Sequence, residues 1–211
     1  MSKKKVVVVG AGLAGLSAAK KLVDAGFEVQ LLESRPLFGG KVSAWKDKDG
    51  DWVESGLHVF FGSYQKIFEL MKEVGIYGNI SWQTPSIPYL NPGGSGFQIV
   101  SNEHLPNPLN LIPNFFFNHQ FALSDLLKYC RAIIPVLMRD QKYIDAQDEK
   151  SFLKWVNQFG VSENMIQKMF LPMTLSLKFL PISQISAQVV LNVFKLFITN
   201  PKGFKIGFLN G

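Results

Sequence analysis

Four valines, Val6 to Val9, run directly into Gly10-Ala11-Gly12-Leu13-Ala14-Gly15. No other stretch constrains the fold of this chain as tightly. An unbroken apolar run of that kind reads as a strand buried on both faces. The residues after it complete a G-x-G-x-x-G pattern. Leu16, Ala19, Leu22 and Val23 then share one helical face, and Gly26 marks the end of that helix. A second apolar run, Val29 to Leu32, closes on Glu33. Strand, glycine turn, helix, strand and acid in this order predict an α/β, Rossmann-like unit. Gly10 allows the tight turn, Gly12 lets a pyrophosphate approach the backbone, and Gly15 lets helix and strand pack closely. The helix N-terminus offers N–H groups to the phosphates. Glu33 can accept hydrogen bonds from ribose hydroxyls. The alternative is a tight turn in some other α/β protein; against it, the strand, helix, second strand and acid all sit where dinucleotide binding needs them.

Glu33 suits NAD and FAD equally. The stretch from Glu33 to Val42 favours FAD. It carries a Gly-Gly step, Gly39-Gly40, soon after the ribose acid, and Lys41 follows. This resembles the extended fingerprint of the amine-oxidase-like flavoproteins. There the second glycine pair brings backbone close to the cofactor, and the basic residue lies near it.

Composition narrows the remaining classes. The 211 residues include 18 Phe, ample for a core, and carry a net charge of +6. The positive charge is dispersed apart from Lys3-Lys4-Lys5. No basic-aromatic stripe suggests nucleic acid, while the basic excess is compatible with an anionic membrane surface. Cys130 is the single cysteine, so an intrachain disulfide is excluded. Its place among the apolar residues of a helix predicts a buried, inert thiol. The first strand begins close to Met1, so no signal or transit peptide is expected ahead of it. No apolar run reaches the length of a membrane span. No metal site is expected.

Along the chain, Val42 to Trp45 and Asp51 to Glu54 read as a hairpin around Asp47-Lys48-Asp49-Gly50. Gly56 to Gly62 is apolar and contains His58, which alone reads as a core residue. Tyr64 to Val74 reads as a helix stopped by Gly75. Six of the 11 prolines fall between Thr84 and Pro113. We therefore place a first domain at residues 1–87 and a second, mostly helical and apolar, at 88–211. Leu109 to Phe121 carries almost no charge. Ser124 can cap the helix that follows, whose apolar residues are Leu126, Leu127, Cys130, Ile133, Ile134 and Leu137. Pro135 should kink it. That face either packs on its own core or lies in a membrane interface, with Lys128 and Arg131 at its edge. Further helices are expected after Ser151, from Glu163, and from about Ile185 to Ile198.

With these residues in view, the chain resembles the plant- and cyanobacterial-type carotenoid desaturases, the phytoene desaturase branch above all. The resemblance rests on Gly39 to Asp47 with Asp49 to Trp52, on Gly56 to Gly62 with Tyr64, and on Gln141-Lys142-Tyr143 with Gln147-Asp148. Phe208 to Gly211 is similar too. The ζ-carotene desaturases share part of these blocks. The resemblance implies an FAD enzyme that removes hydrogens from a C40 polyene such as phytoene. It would pass electrons to a membrane quinone. It also implies cofactor contacts at Ala14, Glu33, Ser34, Lys41, His58, Val59 and Tyr64, besides the glycines. His58 thereby changes from core residue to flavin neighbour. The expected place is a membrane surface, on the cytoplasmic side in a bacterium or in the plastid of a plant or alga. No acid or base is assigned, and an oligomer is compatible with the sequence. Members of that family are about twice this length, so the 211 residues alone are not expected to turn over. The other readings are a different amine-oxidase-like flavoenzyme and an FAD-binding module without turnover.

Overall fold

The computed structural model describes residues 3–56, 58–83, 86–90, 96–100, 105, 120–200, 202–203 and 205–209. The apolar run from Leu109 to Phe117 lies outside them, as does the closing Asn210-Gly211. The chain divides into two compact units. The first comprises Met1–Phe60, Gln65–Ser81 and Gly207–Gly211, and the second Phe61–Tyr64 and Trp82–Ile206.

In the first unit, β1 (Lys5–Val9), α1 (Leu13–Asp24) and β2 (Glu28–Leu32) form the expected βαβ unit. The two strands are parallel, with Val6 opposite Val29 and Val8 opposite Leu31. Gly26 follows α1 at φ +87°, a left-handed stop that glycine adopts without strain. The strands are not buried on both faces. Val6, Val8, Val29 and Leu31 are half-buried, while Val7 and Val9 are 55% and 81% exposed. A helix layer on a two-stranded sheet covers one face only, so the side-chain period of two shows as alternating burial.

The hairpin β3 (Ala44–Lys46) and β4 (Trp52–Glu54) follows, with Trp45 opposite Val53. The Asp47 carboxylate accepts the N–H groups of Asp49 and Asp51 and so closes its turn. After β5 (Phe60–Phe61) comes α2 (Gln65–Glu73), which buries Phe68 and Met71. Glu73 pairs with Lys20 and Lys21 on α1. Then come β6 (Ile80–Gln83) and the antiparallel pair β7 (Ser86–Leu90) and β8 (Gly96–Val100).

The second unit is mainly helical. Its helices are α3 (Leu123–Met138), α4 (Gln141–Asp145), α5 (Phe152–Gln158), α6 (Glu163–Met165), α7 (Leu171–Lys178) and α8 (Ala187–Thr199). A π-helical turn, Ile166–Phe170, joins α6 to α7. Strand β9 (Ile206–Leu209) closes the described chain. Asp140, Ser151 and Ser162 cap α4, α5 and α6 by accepting backbone N–H groups. The core is aromatic: Phe152 stacks on Trp155 at 5.7 Å and meets Phe170 edge-on at 5.4 Å. Full burial of such a side chain contributes about 1.5–3 kcal/mol.

The Gln141–Asp148 block has a structural explanation. Gln141 donates to Asp145 and Asn192, and Gln188 donates to the same Asp145 oxygen. Ser186 donates to Asp148 at 2.7 Å. These bonds latch α4 and its exit onto α8, and those from Gln141 and then Gln188 hold the Asp145 carboxyl below its ordinary value.

Two expectations about α3 change, those for its N-cap and for Cys130. Its N-cap is Ala122 and not Ser124, because the Asp125 carboxylate accepts the Ala122 N–H at 3.4 Å. The helix runs through Pro135 to Met138. Cys130 is exposed, not buried. The helix buries Leu126, Ala132, Ile133 and Val136, which turns Leu127, Cys130 and Ile134 outward.

Candidate functional site

The site grows from the turn between β1 and α1. Gly10 stands at φ +97°, where any side chain would be strained. Its N–H donates to the Leu32 carbonyl at 2.7 Å, tying the turn to the end of β2. Helix α1 then starts at Leu13 with Gly12 as N-cap. No side chain caps it, and no acid lies in its first turn. The first N–H groups of a helix have no partner within it. Left without a capping oxygen, they present donors and the positive dipole end to an anion. Ala14 lies in this first turn and is exposed.

A second glycine turn stands against the first. Gly39 bridges to Gly12 and donates its N–H to the Ala11 carbonyl at 2.8 Å. Gly39 and Gly40 have φ of +101° and +62°, two left-handed residues in succession. A Cβ on Gly40 would stand 3.1 Å from the Gly12 Cα. Gly40 is therefore glycine both for its left-handed backbone and for its close approach to Gly12. This bare backbone cradle, with uncapped helix donors beside it, fits a pyrophosphate.

Glu33 is more heavily engaged than its sequence position suggests. Its Oε2 accepts the Ala11 N–H at 2.7 Å. Its Oε1 accepts the Arg35 N–H at 3.0 Å and the Ser34 hydroxyl at 3.2 Å. These donors, the Ala11 and Arg35 backbone first, hold the carboxyl far below its ordinary 4.5, at about 2. Glu33 thus clamps the glycine turn to β2 and still has lone pairs to offer a ribose. Ser34 acts here as a support for Glu33.

Beyond Lys41 the chain enters the β3–β4 hairpin, which returns it beside the second glycine turn. The Ser55 hydroxyl donates to the Lys41 carbonyl at 2.7 Å. His58 Nε2 stands 3.3 Å from the same oxygen, and His58 Nδ1 stands 3.0 Å from Glu54 Oε2. His58 is therefore neither a buried core residue nor free in solvent. Val59 beside it is half-buried. Tyr64 belongs to the second unit, where its ring meets Phe61 edge-on at 5.6 Å and burial raises its phenol above the ordinary value. The structure brings Gly10, Gly12, Gly15, Glu33, Gly39, Gly40, Lys41 and His58 together within the first unit. Ala11, Glu54 and Ser55 escaped notice in the sequence. Their contacts run through backbone groups or across a hairpin, where no motif signals them.

Among the described residues, no group of three His, Cys, Asp or Glu side chains could hold a metal. No helix among them is long and apolar enough to cross a membrane.

The chain is 39% identical over 209 residues to the 15-cis-phytoene desaturase of Glycine max, a match that covers 98% of this chain and 37% of that protein. It is 37% identical over 215 residues to a probable zeta-carotene desaturase of Synechococcus elongatus, covering 98% of this chain and 45% of that one. The chain thus spans less than half the length of these relatives. Among solved structures, an oxidoreductase from Methanosarcina mazei aligns with a TM-score of 0.66 at 21% identity, covering 97% of this chain and 45% of its own. That likeness supports the fold. The family model described as flavin containing amine oxidoreductase matches residues 13–194. The chain belongs to the family of flavin-containing amine oxidoreductases.

Proposed function

We propose that this chain is the FAD-binding portion of a carotene desaturase of the phytoene desaturase type. The observation that carries this reading is the identity to desaturases along 98% of the chain. The two desaturase branches stand within two percentage points of each other, at 39% and 37% identity. Zeta-carotene desaturation is therefore the second reading.

On this reading Gly10, Gly12, Ala14, Gly15, Gly39 and Gly40 cradle the pyrophosphate, and Glu33 holds the adenosine ribose with Ser34 behind it. Lys41, His58, Val59 and Tyr64 line the flavin side. Residues 1–87 serve the cofactor and 88–211 the substrate. FAD, when bound, supplies the acceptor for hydride from an allylic carbon. A polyene offers no polar handle, so an apolar passage must do the positioning. The electrons leave to a membrane quinone, and the protein sits on a membrane surface. The deciding experiment is expression in phytoene-producing cells, followed by pigment analysis, for this chain and for the longest form its gene encodes. The longer form should yield desaturated product. Unchanged phytoene with that form would end the desaturase reading.

Glu33 gives a separate test of the cofactor assignment. Hydrogen bonds to a charged group contribute about 1.5–3 kcal/mol. Glu33→Ala should therefore weaken FAD binding by about one to two decades. The same carboxylate also predicts a pH effect. With its folded pKa near 2 against an ordinary 4.5, its stabilisation is complete above about pH 4.5 and fades as the pH falls towards 2. The Tm difference between the wild type and Glu33→Gln should shrink across that window. A constant difference would mean that the Ala11 and Arg35 donors do not stabilise the ionised form.

A further inference from the structure

The Lys41–Val42 peptide is held at both ends. Its N–H, on Val42, donates to the Gly39 carbonyl at 3.2 Å. Its carbonyl accepts the Ser55 hydroxyl at 2.7 Å and faces His58 Nε2 at 3.3 Å. Gly39, in turn, bonds the Ala11 carbonyl and bridges to Gly12. A continuous line of contacts thus runs from the end of β4, through His58 and the Lys41–Val42 peptide, to the phosphate turn.

Glu54 stands at the head of that line. An imidazole is rigid, so fixing one ring nitrogen aims the other. Glu54 Oε2 accepts from His58 Nδ1 at 3.0 Å, and this places Nε2 at the Lys41 carbonyl; both partners are acceptor oxygens, so the two contacts are hydrogen bonds together only when the ring carries both protons. The His58 side chain is 24% exposed and that of Glu54 47% exposed. With no carboxylate behind it, a ring that exposed would be free to turn about its side-chain torsions. Consecutive left-handed glycines at 39 and 40 leave the turn with little rigidity of its own. Its shape must come from such contacts.

We propose that Glu54 is a positioning residue for the flavin-binding turn, acting through His58 on the Lys41 carbonyl. The proposal rests on the cofactor reading above. It assigns Glu54 no contact with the cofactor or with the substrate.

The test uses the protein in its longest encoded form and reads the dissociation constant for FAD, together with Tm after the flavin has been removed. Glu54→Leu should weaken FAD binding about ten-fold at unchanged Tm, since the side chain is half exposed and supports no core. Glu54→Gln keeps an acceptor oxygen at the same place and should stay within about three-fold of the wild type. In a His58→Ala background, Glu54→Leu should have no further effect, because its route to the turn is already gone. Unchanged affinity in Glu54→Leu, losses that multiply in the double variant, or a Gln variant as weak as the Leu variant would each overturn the proposal. A wild type that binds no flavin would remove the cofactor reading itself, and this proposal with it.

Discussion

Gly15→Ala should abolish FAD retention and lower the Tm of the flavin-free protein, whereas Gly12→Ala should abolish retention alone. The difference follows from what each new methyl would meet. A Cβ on Gly15 would lie 1.8 Å from the Gly10 carbonyl oxygen and 3.6 Å from Val8 Cγ1. The first partner is backbone and cannot rotate aside. Helix α1 would have to lift away from β1, and overpacking of this kind costs about 1–3 kcal/mol. The Gly10–Leu32 bond and the Ala11–Glu33 bond both start within the displaced turn. FAD affinity should fall at least about a hundred-fold, or about 2.7 kcal/mol. A Cβ on Gly12 meets only the Gly40 Cα at 3.9 Å, an ordinary contact. The protein itself can accept that methyl, so Tm should stay unchanged. The space it fills is where a pyrophosphate would approach the backbone. Equal Tm losses in the two variants would show that Gly12 serves packing and not the ligand. Retention of FAD by Gly15→Ala would remove the close approach of helix and strand as a requirement.

The βαβ unit was legible in the sequence because every part of it is local. Val6 to Glu33 contains a strand, its glycine turn, an amphipathic helix and a second strand, and each has its own period. The burial of β1 was misread for a related reason. An all-valine strand has the composition of a two-sided environment, whereas exposure of Val7 and Val9 depends on which layers surround the strand. Cys130 was misplaced because α3 is apolar around much of its circumference, so periodicity alone selects no inward face. The Glu33 contacts were half legible. The acid's position is a motif, but its bond to the Ala11 N–H appears only once β2 lies beside the turn. Glu54 and His58 are four residues apart on a non-helical segment. That spacing carries no meaning until the hairpin returns them to Lys41.

Helix α3 should be the principal membrane contact of the described second unit, and two substitutions on it should abolish flotation with liposomes. Its outward residues Leu123, Leu127, Ile134 and Met138 are 64%, 63%, 50% and 81% exposed. At about 100° per residue they fall, with exposed Cys130, within about 80° of the helix circumference. Arg131 is exposed at one edge of this stripe, and Lys128 is exposed farther round on the same side. The buried side chains Leu126, Ile133 and Val136 lie beyond its other edge. A helix that already packs one apolar face on its core and still shows further apolar surface, with cations on one side of it, has the make-up of an interfacial element. Each stripe residue immersed in acyl chain contributes up to about 1.5–3 kcal/mol, and each cation near an anionic surface about 1 kcal/mol. Leu127→Asp together with Ile134→Asp removes two of the four stripe residues and sets two charges at the interface. Partition into anionic vesicles should fall by more than about a hundred-fold. Because both positions are half exposed or more, the core should survive and Tm should change little. The phenylalanines at 115 and 116, also apolar, lie outside the described residues, and Phe115→Asp with Phe116→Asp provides the parallel comparison. Flotation that survives the α3 pair and disappears with the phenylalanine pair would move the membrane contact to that segment. Flotation that survives both would remove the lipid surface as a partner of this part of the chain.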